Sequence, residues 1–394
     1  MASIDTMLGL IDKLESPYIT VHQERCVLVR NCHADCLRCA KSCASGCIHY
    51  DGEVLSVSPE KCIGCGTCAT VCPTCALEAH HPGDAALAAA CRTSLAANEG
   101  TVYLGCGELL ERARGRYDEE KIARAECLGR VDESLLAFCA CEGAAEVVLI
   151  HGDCEHCSYN SGRACAEMVA DTAEKLLQVW KSPMEVRFAH KLPASAKKAA
   201  DHDTARRALF SEASSVAARA GAVVAEQAVA EVLSEEEEPE ISPRYTKVMD
   251  DGTLPHFVPD RRERLLDFLA ELGEPEDVMI DTRLWGHVII DTDICVSCQM
   301  CATFCPTGAL EKFSEEGGTF GVDHRPSDCV KCRSCEVICP AHALEISEEV
   351  FAVDLMNGAT ERYTMRPRAV KHDTPHTIWH MAQTMMNTDQ VYER

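Results

Sequence analysis

The sequence predicts two small α+β modules, one toward each end, flanking an α/β domain with a mainly parallel sheet, with a helical linker before the second module. Three observations carry this. The 27 cysteines of the 394-residue chain fall into three groups, Cys26 to Cys75, Cys91 to Cys165 and Cys295 to Cys339, with none in the long gap after Cys165. The outer groups repeat a four-cysteine spacing, whereas buried structural thiols would scatter over every core face. Between them, apolar runs of strand length alternate with helical periodicity, the signature of βα units. Aromatic residues are 5% of the chain against 46% hydrophobic, which suits several modest cores better than one large core.

Residues 1–25 read as an amphipathic helix, with Ile4, Met7, Leu8, Ile11 and Leu14 on one stripe. Residues 26–84 form the first module. Cys62, Cys65, Cys68 and Cys72, followed by Pro73, have the spacing C-x2-C-x2-C-x3-C-P. A short irregular loop turns three such thiolates onto one iron-sulfur cube, and in two-cluster ferredoxins the fourth ligates the other cube. The upstream half reads Cys36-x2-Cys39-x3-Cys43-x3-Cys47, one residue longer and with Ile48 in place of proline. Crossing the fourth ligands gives Cys36, Cys39, Cys43 and Cys72 for one [4Fe-4S] cluster and Cys62, Cys65, Cys68 and Cys47 for the other. Cys26, Cys32 and Cys75 are left over, and Cys32, four residues before Cys36, could replace one of these ligands.

Residues 85–192 form the α/β domain. Strands are expected at 101–106, 122–127, 146–154 and 185–190, with helices at 108–114, 132–143 and 162–180 between them. Cys106, Cys127 and Cys154 each end a predicted strand, and Cys157 follows in the next turn. Cofactors of open α/β sheets collect at the carboxyl ends of strands. Four thiolates there fit a [2Fe-2S] cluster; four unrelated core thiols are the alternative. Cys91, Cys139, Cys141 and Cys165 read as packing residues, the middle two pointing to different sides of one helix.

Residues 193–285 read as a helical and acidic linker, Ala-rich to Leu233, then Glu235 to Glu238 and Pro239. An amphipathic helix with Leu265, Leu266, Phe268, Leu269 and Leu272, closed by Gly273, is expected to pack beside the second module. That module, 286–347, has the most regular pattern. Cys295, Cys298, Cys301 and Cys305 precede Pro306, and Cys329, Cys332, Cys335 and Cys339 precede Pro340. The crossed assignment is Cys295, Cys298, Cys301 and Cys339 for one [4Fe-4S] cluster and Cys329, Cys332, Cys335 and Cys305 for the second. Strands at 287–291 and 319–323 complete a ferredoxin layout. Structural zinc would instead use separated C-x2-C knuckles. The tail, 348–394, places His372, His376 and His380 four residues apart and reads as a docking or frayed segment.

With 63 acidic and 38 basic residues, a net charge of -25, the chain repels phosphate backbones and anionic lipid. Its expected partners are proteins, with no nucleic acid and no membrane span. An odd cysteine count without a signal-peptide pattern suggests the reducing cytoplasm. No P-loop, G-x-S-x-G or G-x-G-x-x-G motif is present, and no catalytic constellation stands out.

The segment from Cys127 through Arg130, Asp132, Glu133 and Leu136, the run Gly143 to Ile150 and the turn Gly152-Asp153-Cys154-Glu155-His156-Cys157 resemble the delta-subunit family of methyl-viologen-reducing hydrogenase. The resemblance covers the middle domain. It implies a [2Fe-2S] cluster and relay of electrons, in anaerobic metabolism, between a hydrogenase or formate dehydrogenase and a heterodisulfide-reductase-like flavoprotein. The whole chain then reads as an electron-transfer component of an oxidoreductase complex carrying four [4Fe-4S] clusters and one [2Fe-2S] cluster. The alternative is a catalytic oxidoreductase component with an unrecognised flavin site in the α/β domain.

Overall fold

A computed structural model describes residues 17–198, 245–247, 249, 252–366 and 390–392. The expected helix around Ile4 to Leu14, most of the Ala-rich and acidic linker, and the His372, His376 and His380 tail lie outside the described residues.

The first module is built from two antiparallel strand pairs. Strand β1 (Ile19–Val21) pairs with β4 (Leu77–Ala79), and β2 (Ile48–Tyr50) with β3 (Leu55–Val57). Strand β1 lies within the stretch expected as an N-terminal helix, so the module starts earlier than its first cysteine. Ile19, Leu55 and Leu77, each at most 2% exposed, close its core together with cysteine side chains.

The middle domain carries a four-stranded, all-parallel sheet. Strands β5 (Thr101–Cys106), β6 (Ala123–Ala125), β7 (Glu146–Ile150) and β8 (Glu185–Ala189) lie in the order β6-β5-β7-β8. In β7 the run Val147 to Ile150 is buried throughout, as a strand covered on both faces requires. Helices α1 (Asp84–Ala97), α2 (Gly107–Arg112), α3 (Glu133–Cys141) and α4 (Gly162–Val179) pack around the sheet. Asp132 starts α3 by accepting the Leu135 N–H at 3.0 Å, which satisfies one otherwise orphaned helix donor. In α4 the buried residues Cys165, Ala166, Val169, Ala170, Ala173, Leu176 and Leu177 recur at helical spacing and form its core-facing stripe.

Tyr245–Lys247 (β9) pairs in parallel with Gln390–Tyr392. Helix α5 (Asp260–Leu272) corrects the expectation for its amphipathic face. Instead of lying only beside the second module, it wedges between domains. Leu265 and Leu269 share one core with Ala137, Leu176 and Trp180 of the α/β domain and with Trp285 and Val350 beyond the linker.

The second module begins with β10 (Met279–Asp281), which pairs with β15 (Glu349–Phe351). Strand β11 (His287–Ile290) pairs with β14 (Leu344–Ser347), and β12 (Leu310–Ser314) with β13 (Phe320–His324), repeating the layout of the first module. The two strands expected from sequence therefore belong to different pairs. Strand β16 (Glu361–Met365) adds to β13, so the module's sheet extends into the stretch read as tail.

Candidate iron-sulfur centres

The cysteine loops share a backbone rule. In the three regular repeats the residue before the second cysteine and the residue after it are left-handed: Gly64 and Gly66 (φ 68° and 74°), Ser297 and Gln299 (63° and 55°), Lys331 and Arg333 (51° and 63°). Alternating left- and right-handed residues point successive N–H groups inward and form an anion-binding nest, a geometry that suits a negatively charged cluster. Further donors reach the sulfurs. The Ala76 N–H donates to Cys72 Sγ and the Ala343 N–H to Cys339 Sγ, both at 3.2 Å, at equivalent places in the two modules.

The same rule places the fourth cysteine of every repeat. Three residues after it comes a left-handed residue, and five after it a strand begins. Cys72 is followed by Cys75 (φ 49°) and Leu77, Cys305 by Gly308 (72°) and Leu310, and Cys339 by His342 (50°) and Leu344. In the irregular repeat, Gly46 (φ 63°) and Ile48 stand in this relation to Cys43, not to Cys47. Cys75 is thereby explained as a turn residue.

The thiols themselves fall into sets. In the second module Cys295, Cys298, Cys301 and Cys339 line one cavity with Met300 and Met365. Burial pushes the Cys332 thiol up to about 12, aided by Cys305 and Cys329, and burial raises Cys335 with Cys332, Cys329 and Cys305 as its neighbours. The structure thus brings together both sets expected from spacing there.

The first module is less regular. Cys43 lies 3.4 Å from Cys47. Burial raises Cys65 and Cys68, and Cys43 and Cys62 are among the thiols that push both higher. Cys47 in turn contacts both Cys43 and Cys62, so Cys43 and Cys47 both stand beside the set of Cys62, Cys65 and Cys68. Cys39 is pushed up to about 12 by burial and then by Cys72, Cys26 and Cys36. Cys26, at 8% exposure, matches Cys39 in burial, while the less buried Cys32 is raised by burial alone. Cys26 stands at the N-cap position of the short helix Val27–Arg30, outside any repeat.

In the middle domain Cys106, Cys127, Cys154 and Cys157 line a single cavity with Glu108, Glu126, His151, Tyr159 and Arg163. Cys106 ends β5 as expected, but β6 stops at Ala125 and β7 at Ile150, so Cys127, Cys154 and Cys157 stand on the loops that follow and not at strand ends; the carboxyl edge of the sheet still gathers all four. His151 Nδ1 lies 3.6 Å from Cys154 Sγ, and the Tyr159 N–H donates to Cys157 Sγ at 3.4 Å. Two glycines permit the fold here. A Cβ at Gly162 would lie 2.0 Å from Cys127 Sγ, and one at Gly129 would lie 2.4 Å from Thr67 Oγ1 of the first module.

The remaining thiols of the α/β domain make packing contacts. Cys91 and Cys139 are both 1% exposed free thiols that share a side-chain hydrogen bond, Cys141 donates to the Phe268 carbonyl at 3.2 Å, and Cys165 donates to the Gly129 carbonyl. Among the described residues no three His, Cys, Asp or Glu side chains close on a single-ion point. A cluster differs from one ion, because its iron and bridging sulfide lie between the thiolates and hold them further apart.

Comparison with known proteins agrees at both ends. The 4Fe-4S dicluster domain family matches residues 289–343, and the 4Fe-4S binding domain family matches residues 55–78. The chain carries ferredoxin-type 4Fe-4S domains at both ends. It is also similar to a protein of Escherichia coli (strain K12) named "Putative oxidoreductase AegA", 39% identical over 59 residues, 14% of this chain. The match spans 9% of that protein's length. No solved structure matches. Neither family match reaches the α/β domain, so nothing in them supports the hydrogenase delta-subunit resemblance. Among the described residues no helix is long and apolar enough to cross a membrane.

Proposed function

We propose that the chain is a multi-cluster electron relay between protein redox partners. The reading assigns Cys26, Cys36, Cys39 and Cys72 to one [4Fe-4S] cluster and Cys43, Cys62, Cys65 and Cys68 to a second. Cys305, Cys329, Cys332 and Cys335 hold a third, and Cys295, Cys298, Cys301 and Cys339 a fourth. Cys106, Cys127, Cys154 and Cys157 hold a [2Fe-2S] cluster. Such clusters exchange single electrons at potentials set by cluster type, hydrogen bonds, charge and exposure.

One observation supports the reading: neighbouring cysteine sets lie within electrostatic reach of one another. Each set feels the charge of the next. Cys127 has Cys65 among the thiols that raise it, Cys68 has Cys39, Cys332 has Cys36, and Cys335 has Cys301. Under this reading electrons pass from set to set between the α/β domain and the second module. The residues between the sets are small or tightly held, with Thr67 against Gly129 and the Ser161 hydroxyl donating to the Ser42 carbonyl at 2.7 Å. Under this reading the middle domain meets one partner and the second module another. The delta-subunit resemblance favours a hydrogenase or formate dehydrogenase on one side and a heterodisulfide-reductase-like flavoprotein on the other, by analogy.

The test is iron, acid-labile sulfide and zinc content of anaerobically purified protein, with electron paramagnetic resonance during stepwise reduction. About eighteen irons per chain and magnetically interacting signals are expected. Zinc in place of iron, or isolated signals without interaction, would refute the relay.

A further inference from the structure

The junction between the two ferredoxin modules encloses a buried cation. Arg30 ends the helix Val27–Arg30 and is 6% exposed. Its guanidinium donates to three carbonyls, Glu24 at 3.2 Å, Pro255 at 3.0 Å and Cys305 at 3.4 Å. Its Nε has no partner, and among the described residues it makes no ion pair. Burial pushes it down to about 10, opposed by the Cys305 and Cys332 thiols and by Glu24. An unpaired cation in a protein interior is costly unless an anion stands close. Beside the Glu24 carboxylate, the groups that would supply the negative charge are Cys305 and Cys332 once they ligate a cluster.

The surroundings are specific to the crossing. Asn31, fully buried, donates to Ser334 Oγ at 3.4 Å, and Arg38 donates to the Lys331 carbonyl at 3.4 Å. Cys332 packs against the core of the first module. Arg30 therefore reaches from the helix that Cys26 caps to the backbone of Cys305, which ties one cysteine set to the next.

We propose that Arg30 is a positioning residue for the electron crossing between the modules. Its buried charge lies between the Cys26, Cys36, Cys39, Cys72 set and the Cys305, Cys329, Cys332, Cys335 set, and it raises the reduction potential at the Cys305 set. This rests on the relay reading above. The crossing moves one electron from the centre at the first set to the centre at the second, or back, with no bond made or broken. A reduced centre carries one more negative charge than an oxidised one, and a cation fixed beside it favours the reduced form.

The experiment is a dithionite titration of the full chain, followed by electron paramagnetic resonance, on the parent, Arg30→Gln and Arg30→Lys. In Arg30→Gln, iron content should match the parent. One midpoint should fall by about tenfold in reduced-to-oxidised ratio at fixed potential, 59 mV for one electron, while the midpoints of the more distant centres stay in place. Arg30→Lys keeps the charge and should keep the parental midpoint within about threefold. Parental iron with every midpoint unmoved in Arg30→Gln overturns the proposal. Should Arg30→Gln lose iron, Arg30→Lys decides: iron and midpoint both retained support the charge, whereas iron retained with a tenfold fall overturns it. Loss of iron in both variants also overturns it, because the fork's hold on three carbonyls would then be what the junction needs. A parent without iron would take down the relay reading itself.

Discussion

Gly162→Ala separates packing from propensity at the middle centre. Gly162 is the first residue of the 18-residue helix α4, where alanine for glycine by itself favours the helix by up to about 1 kcal/mol. The added methyl, however, would sit 2.0 Å from Cys127 Sγ, and its other near neighbour is the Gly129 backbone at 3.4 Å. Non-bonded contacts of this kind settle at about 3.5–4.0 Å, so one side must yield by about 1.5–2 Å. Helix α4 is anchored by its buried stripe, whereas Cys127 can turn about one side-chain bond. The inexpensive escape swings the sulfur out of the cavity, at a cost of about 1–3 kcal/mol if the helix shifts instead. We expect Gly162→Ala to fold, to keep its outer clusters and to lose about two of about eighteen irons, together with the visible circular dichroism and paramagnetic signal of the middle centre. Gly152→Ala is the control, since Gly152 lines the same cavity but its Cβ would stand in ordinary contact, 3.8 Å from Leu109. Iron and spectra unchanged in Gly162→Ala, or the same loss in Gly152→Ala, would refute the packing of Cys127 described above.

Other outcomes follow from the same geometry. Cys43→Ala should cost about four irons while Cys47→Ala keeps them, and Cys26→Ser should cost about four while Cys32→Ser does not, each read by iron content and paramagnetic resonance; the reverse order in either pair would restore the spacing-based grouping. Glu133, with 4% of its side chain exposed, accepts a two-pronged bond from Arg283 at 2.8 and 2.7 Å, and Arg283 also donates to the Thr70 carbonyl. Glu133→Ala should therefore destabilise by about 3–5 kcal/mol, seen as a lower urea midpoint, with Glu133→Gln falling between variant and parent. His324 is fully buried with neither ring nitrogen partnered, and burial holds its pKa down to about 3. The unfolded chain takes up this proton near pH 6.5 and the folded protein does not, so stability is complete above pH 6.5 and drains as pH falls toward 3. The loss at pH 5 is about 2 kcal/mol. His324→Leu should flatten that decline relative to the parent in urea unfolding at pH 7 and pH 5; parallel declines would show that His324 takes up its proton in the folded state.

The α/β domain was legible because its strands are short apolar runs and its helices have clear periodicity. Strand β5 was expected at 101–106 and is found at Thr101–Cys106, and Cys106 at its end shares one cavity with Cys127, Cys154 and Cys157 on the loops after β6 and β7. Helix α5 was legible as an amphipathic helix, but its stripe does not say what covers it. Leu265 and Leu269 meet residues from both sides of the linker, and only the assembled chain brings Trp180 and Trp285 to one place.

The sequence by itself determined the module order, the regular cysteine repeats and the convergence of four thiols at a sheet edge. These are local properties, set by spacing along a loop and by the two periodicities of the backbone. The tertiary structure alone brings Cys26 beside Cys39, Cys43 and Cys47 beside Cys62, and Cys332 against the core of the first module. The left-handed turn at Gly46 and the strand at Ile48 put Cys43, not Cys47, in the fourth position. Which thiol faces which, and which buried cation lies between them, depends on residues such as Arg30 and Cys305, 275 positions apart in the chain. No local pattern encodes that distance, because the contact exists only once separate cores have docked.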